Sequence, residues 1–260
     1  MRISAVDFCL TEQDGQILTV TMNNPDKLNA LIPDSHAQMA AIFRDFEADS
    51  TVRVAILTGA GRAFCAGSDI SAYVAGTNRP LPPEGGGGLT HYHSRTKPVI
   101  AAVNGLAMGG GFEIALACDI IVADERATFA LPEPKVGAAA MGGGLVQLAR
   151  KLPGSVAMQL ALTGSRIDAT RAYALGLVSA LAAAGQALVI AKAMAGQILE
   201  GAPLAVAASR HIVRCTLDGA SRDTLDQEEA TLRQRVMASA DFAEGMAAFM
   251  AKRPPAWTGH

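Results

Sequence analysis

The chain has 260 residues, half of them hydrophobic and 18% charged, with 22 Lys and Arg against 24 Asp and Glu for a net charge of −2. That length supports one large core or two modest domains, and the composition excludes a disordered chain. The near-neutral balance offers no basic footprint for nucleic acid and no polybasic patch for a membrane surface.

Cys9, Cys65, Cys118 and Cys215 have no CxxC or ligand-like spacing and read as free thiols of a reducing compartment. The start, "MRISAVDFCLTEQDG", lacks a signal-like apolar stretch and no run reaches membrane-spanning length, so a soluble, cytoplasmic protein is expected. "QILTVTMN" (16–23) alternates and is rich in β-branched residues, which predicts a strand ending at the turn "NNPDK". Asp34 is the expected cap of a helix running to about Asp49. "RVAILTG" (53–59) and "PVIAAVNG" (98–105) are short apolar runs closed by glycine, the pattern of buried strands; "DIIVADE" (119–125), "TFAL" (128–131) and "GLVSAL" (176–181) predict three more. Helices are expected over 108–117, 143–151, 155–163 and 168–175. From about residue 183 strand signals stop, and 184–200, 203–217, 221–238 and 240–251 all read as helices. An alternating α/β part at 1–182 is thus followed by an all-helical region at 183–260. "VAGTNRPLPPEGGGGLT" (74–90) reads as a mobile surface loop.

Two stretches could carry chemistry. "GRAFCAGSDI" (61–70) leaves a strand through a glycine-containing bend: an ordinary turn, or a set of backbone N–H groups aimed at a ligand oxygen. "AMGGGFEIALACD" (107–119) sets three glycines before a helix, where the chain can approach a ligand closely and the helix adds its positive end. The spacing fits neither GxGxxG nor a P-loop. Glu113 lies in the first turn of that helix among apolar neighbours, and a buried acid is costly unless it has partners or a task. Glu133 stands between Pro132 and Pro134, which hold a loop carboxylate in few orientations; an exposed loop acid is the other reading. "HYH" (91–93) has no third ligand for a metal, no Gly-x-Ser-x-Gly elbow is present, and Cys65 has no evident partner histidine.

In register, "NNPDKLNAL" (23–31), "RAFCAGSDI" (62–70), "KPVIAAVNGLAMGGGFEIALACDIIVA" (97–123), "FALPEPKVG" (129–137) and "LTGSRIDATRAYALGLVS" (162–179) closely resemble the enoyl-CoA hydratase/isomerase (crotonase) family, over nearly the whole chain. The resemblance implies an α/β spiral of ββα units at 1–182 and a C-terminal helical region at 183–260 that packs trimers, often paired into hexamers. It implies an acyl-CoA thioester whose carbonyl oxygen rests between the backbone N–H groups of Ser68, where Ala is more usual, and Gly110. By the same resemblance Glu113 activates water and Glu133 exchanges a proton at the α-carbon. Possession of both acids favours a hydratase over relatives that isomerise, hydrolyse or decarboxylate. Lys27, Leu28 and Ala30 fall in the loop near the CoA nucleotide, Ala66, Asp69 and Ile70 around the pantetheine channel, and Phe249 and Lys252 in the segment that reaches a neighbouring subunit's CoA. No metal or redox cofactor, nucleic acid or membrane is implied. "AAAMGGG" (138–144) departs from the Pro-Gly turn of well-studied hydratases beside the acyl pocket, and "FALPEPKVG" is nearer in style to carnitinyl-CoA dehydratase-like branches. The alternatives are an isomerase working through Glu133 alone, a carnitinyl-CoA dehydratase-like member, or a non-catalytic scaffold or RNA binder.

Overall fold

The computed structural model describes residues 8–77 and 79–260; residues 1–7, read above as free of a signal-like stretch, lie outside it. β1 (Cys9–Asp14) and β2 (Ile17–Met22) form an antiparallel hairpin in register from Asp14↔Ile17 to Cys9↔Met22. β1 was not foreseen. Only Cys9 along it is buried, so the strand carries no hydrophobic period, and the turn signal at Asp14-Gly15 was the one readable mark.

β2 then runs parallel to β3 (Val54–Gly59), followed by β5 (Val99–Val103), β7 (Ile120–Asp124) and β10 (Ala180–Ala182), giving the six-stranded order β1-β2-β3-β5-β7-β10. Every residue of β3 and β5 is buried, as expected of parallel strands covered on both faces. A second sheet has the order β4-β6-β8-β9, with β4 (Ala63–Cys65), β6 (Leu106–Met108) and β8 (Thr128–Ala130) parallel and β9 (Ile167–Asp168) antiparallel to β8. The chain feeds the sheets alternately: β3 then β4, β5 then β6, β7 then β8. In consequence β4, β6 and β8 end beside one another.

The helices follow the apolar spacing. α1 (Ser35–Ala48) buries Met39, Ala40, Phe43 and Phe46, one stripe at helical period. α2 (Ile70–Val74), α3 (Gly110–Ala117), α4 (Gly144–Lys151), α5 (Gly154–Thr163) and α6 (Ala169–Ala174) complete the α/β part, and α7 (Ala187–Leu199), α8 (Pro203–Leu217), α9 (Arg222–Met237) and α10 (Ala240–Ala251) the helical run. Three expectations are corrected. Asp34 sits ahead of α1, but its side chain makes no capping hydrogen bond. The strand read at 176–181 is a turn through Gly176 (φ 79°), with Leu177 and Val178 in the core and pairing confined to Ala180–Ala182; a short apolar run alone does not distinguish the two. The 74–90 segment is not a surface loop throughout. Gly87, Gly88, Leu89 and Thr90 are buried, the Gly87 N–H donates to His36 Nδ1 at 3.0 Å, and a methyl on Gly87 would come within 2.7 Å of Ile114. Those glycines let the backbone press against α1 and α3.

The chain divides into two compact units, Met1–Arg95 with Val99–Ala195, and Thr96–Pro98 with Gly196–His260. The α/β unit keeps α7 as far as Ala195, burying Ala187, Ala191 and Ala195 on one face. Within the helical unit the C-terminal residues are strapped down by acids. The fully buried Asp241 accepts from the Thr258 N–H at 2.7 Å, the Thr258 hydroxyl at 3.0 Å and the Gly259 N–H at 2.9 Å. Trp257 Nε1 donates to the Glu200 carbonyl at 2.8 Å. Replacement Asp241→Ala strands these donors and is expected to lower the unfolding free energy by about 2 kcal/mol in a urea titration; an unchanged midpoint would show the strap to be energetically idle.

Candidate active site

Three adjacent strand ends build the site. Beyond β4, the Ala66 N–H donates to the Leu28 carbonyl at 2.9 Å, the Leu31 N–H to Gly67 at 2.8 Å, and the Asp69 N–H to Leu31 at 2.8 Å. This isolated parallel bridge of Leu31 with Ser68 uses the carbonyl of residue 67 and the amide of residue 69. Ser68's own N–H is therefore turned away from it. Beyond β6, the Gly109 N–H continues the sheet by donating to Ala130 at 2.9 Å, and Gly110 opens α3, where a first-turn N–H has no intrahelical acceptor. A Cβ on Gly67 would lie 3.5 Å from the Gly110 nitrogen, and one on Gly110 would lie 3.9 Å from the Ser68 nitrogen. Two backbone donors and the positive end of α3 thus share one place.

The three glycines do different things. Gly109 has φ 51° and ψ −128°, a conformation that disfavours any side chain, and lies against Glu133. Gly110 leaves the space beside Ser68 open. Gly111 meets the end of β4, where a methyl would come within 2.7 Å of Cys65 Cβ.

Glu113, 9% exposed, points from the first turn of α3 into a turn at 142–144. Its Oε1 accepts from the Gly144 N–H at 2.9 Å, and the Gly142 N–H also bonds it. A methyl on Gly144 would come within 2.8 Å of that oxygen, so the "GGG" of 142–144 is the cradle of this acid. Burial pushes Glu113's carboxyl above its ordinary range, opposed by those two amides and by the nearby His91. Glu133 begins a 3₁₀ turn (Glu133–Val136) just beyond β8. A Cβ on Gly109 would stand 2.9 Å from its Oε1, while its Oε2 is buried with no hydrogen-bond partner among the described residues. Burial first, then the charge of Glu113, raises its carboxyl. Two acids of elevated pKa thus flank the Gly109–Gly110 corner.

The other sequence candidates fall in two groups. Lys27 is 61% exposed and its Nζ pairs with Asp69 Oδ2 at 3.1 Å. Asp69 also accepts from the Ser71 hydroxyl at 2.6 Å and the Ser71 N–H at 3.0 Å; these bonds, the hydroxyl first, hold its carboxyl down at about 2. Leu28 (φ 52°), Ala30 and Ala66 are half-buried on the strip that abuts Ser68, and Ile70 is exposed. Phe249, 81% exposed, and Lys252, at the C-terminus of α10, belong to the helical unit. Sequence reasoning missed Asn29. Fully buried, it accepts from the Asn24 N–H at 2.9 Å and donates to Ala60 and Ala63 at 2.9 and 2.8 Å, pinning the 24–30 loop to β4. Only its place in "DKLNAL" marked it.

Cys9, Cys65 and Cys118 are buried thiols pushed up to about 12, chiefly by desolvation, which removes them as nucleophiles at neutral pH. Among the described residues no group of three or more His, Cys, Asp or Glu is arranged to hold a metal, and no single helix is long and apolar enough to cross a membrane. A surface cavity of about 210 Å³ lined by Gln159, Arg166, Asp168 and Arg171 contains none of the candidate residues.

A family model described as enoyl-CoA hydratase/isomerase matches residues 12–260. Carnitinyl-CoA dehydratase of Salmonella arizonae is 40% identical over 254 residues, 95% of this chain and 97% of that protein; the protein of that name from Proteus mirabilis is 38% identical over 255 residues, covering 94% and 96%. The crystal structure of an enoyl-CoA hydratase from Mycobacterium tuberculosis H37Rv superposes with a TM-score of 0.93 at 42% identity, over 98% of this chain and 100% of that one. With the alternating feed of two sheets, the paired amides and end-to-end similarity all in agreement, the chain has the crotonase fold and belongs to the enoyl-CoA hydratase/isomerase family.

Proposed function

We propose that the protein is an enoyl-CoA hydratase, adding water reversibly and syn across a trans-2-enoyl-CoA to give the 3-hydroxyacyl-CoA. One observation carries this reading: two largely buried carboxyls flank a pair of neighbouring main-chain amides that find no acceptor among the described residues. The thioester oxygen is received by the N–H groups of Ser68 and Gly110. Glu113, held by two amides, takes the part of the base in this reading, and Glu133, with an oxygen lacking any donor among the described residues and Glu113's charge nearby, the part of the acid. Ionised Glu113 removes a proton from water as the oxygen attacks the β-carbon. The π electrons move to the thioester oxygen, where fixed donors favour the enolate over the ground state. Glu133 then delivers its proton to the α-carbon, and return of a proton from Glu113 to Glu133 completes the cycle. Hydration changes no net oxidation state, and this scheme calls for neither metal nor redox cofactor.

For the CoA portion, Lys27, Leu28 and Ala30 serve the nucleotide end, and Ala66, Asp69 and Ile70 the pantetheine. Phe249 and Lys252 act on a neighbouring subunit's CoA in a trimer or dimer of trimers in the cytoplasm. Assembly is supported by the helical unit's poor self-burial: α8 buries no residue, and Met246, Phe249 and Met250 are more than half exposed. A second reading, dehydration of a carnitinyl-CoA-like 3-hydroxyacyl thioester, is favoured by the 38–40% identical relatives of that name and uses the same groups in reverse. Purified protein is expected to consume the enoyl-thioester absorbance of crotonyl-CoA. Elimination of water from carnitinyl-CoA with inert crotonyl-CoA would select the second reading, and turnover of a 3-enoyl-CoA alone an isomerase.

A further inference from the structure

We infer that the side-chain hydroxyl of Ser68 is a third hydrogen-bond donor to the thioester oxygen, beside the main-chain amides of Ser68 and Gly110. The inference rests on the hydratase reading above and deepens it, giving the residue-68 side chain, and not its backbone alone, a part in the reaction.

The bend after β4 is fastened on either side of Ser68. The Gly67 N–H donates to Cys65 Sγ at 3.5 Å, the Gly67 carbonyl accepts from the Leu31 N–H at 2.8 Å, and the Asp69 N–H donates to the Leu31 carbonyl at 2.8 Å. The adjacent carboxylate is committed as well. One oxygen of Asp69 accepts from Lys27 Nζ at 3.1 Å, and the other accepts from the Ser71 hydroxyl and N–H at 2.6 and 3.0 Å. Between these anchors, neither the N–H nor the hydroxyl of Ser68 has a hydrogen-bond partner among the described residues. Both donors are left for a ligand.

The hydroxyl also faces the place where the thioester oxygen is received. A Cβ on Gly110 would lie 3.5 Å from Ser68 Oγ, nearer than the 3.9 Å to the Ser68 nitrogen, and its other neighbour there is the apolar Leu31 Cδ1 at 3.4 Å. Around this corner Gly67, Gly109 and Gly111 are buried, while Ser68 and Gly110 stay partly open. Only Cα and Cβ separate a serine's nitrogen from its Oγ, so both can address one acceptor, and a hydroxyl rotates its hydrogen to suit. With no protein acceptor competing, that hydrogen turns to the thioester oxygen. As negative charge collects on the oxygen the bond becomes charge-assisted and shortens, so it favours the enolate over the ground state. Serine keeps its hydrogen throughout, and no covalent bond to the protein forms.

The test uses the full-length protein with Ser68→Ala, which deletes the hydroxyl and keeps the amide, and Ser68→Cys, which fills the same space with a weak donor. Two quantities are measured: steady-state hydration of crotonyl-CoA, and the infrared carbonyl stretch of bound butyryl-CoA labelled with 13C at the thioester carbon, an ester with no double bond to react. Both variants are expected to lose about tenfold in kcat with KM nearly unchanged, less than for a fixed main-chain donor because a hydroxyl must be held in one rotation. Both should also raise the bound stretch toward its value in the free ester. An unmoved stretch, or a parent-like kcat, in Ser68→Ala overturns the inference, while crotonyl-CoA turnover by the parent keeps the hydratase reading. Full activity in Ser68→Cys beside a loss in Ser68→Ala also overturns it, marking a side chain that only fills space. Should crotonyl-CoA prove inert while the stretch still depends on Ser68, the hydratase reading falls and the third donor stands.

Discussion

Glu113→Gln and Glu133→Gln are each expected to lower crotonyl-CoA hydration by about 10²–10⁴-fold, the range of a lost general acid or base, with binding of the CoA ester nearly unchanged. Steady-state rates and a direct binding titration check this. Near-normal turnover in either variant would dismantle the division of labour between them. Stability should move the other way at Glu133. Its carboxyl is raised by burial and by Glu113, so the folded state holds its proton to higher pH than the unfolded chain. For such a group stability falls as pH rises from the unfolded pKa through the folded one, and the cost is fully present above both. At neutral pH Glu133→Gln removes that cost and should melt no lower than the parent, whereas an ordinary structural acid would give a loss.

Gly110→Pro should be nearly as damaging by a separate route. Proline is tolerated at the first position of a helix, so the change deletes the N–H while α3 can still form. Loss of one such donor is expected to reduce kcat by about 10²–10³-fold. Gly110→Ala is the control. It keeps the amide, and its methyl would meet Leu31 Cδ1 and Ser68 Oγ at 3.4 and 3.5 Å, close but not overlapping. Equal loss in both variants would mean that space at residue 110, rather than its hydrogen bond, governs turnover.

Parallel strands were the most legible part of the fold, because β3, β5 and β7 are continuous apolar runs closed by glycine or charge. The hidden strands were those without that signal: β1 faces solvent, and β4, β6 and β9 are two or three residues long. At the site, the triglycine of 109–111 and Glu113 stood out because a buried acid after glycines is locally improbable. Asn29 did not stand out, and Gly142–Gly144 did so only as a departure beside the acyl pocket, not as the cradle of Glu113. Their significance lies in what they touch from distant parts of the chain: Asn29 reaches Ala60 and Ala63, and Gly144 reaches Glu113. Pro- and Gly-rich composition misled at 85–90, where glycine serves tight packing rather than a turn in solvent.

Successive coils of this chain present neighbouring strand termini, and each terminus carries one separable instrument: an amide after β4, an amide with a helix pole after β6, a carboxyl after β8. Adjacent strands lie about 4.8 Å apart, roughly the span of the few atoms from a thioester oxygen to the carbon beyond its double bond. Because the instruments are borne on different loops, one can be exchanged while the rest keep their stations. If the amides of residues 68 and 110 receive a thioester as proposed, a descendant lacking the residue-133 acid would still hold and polarise it, and the bond broken could change before the means of holding the substrate is lost.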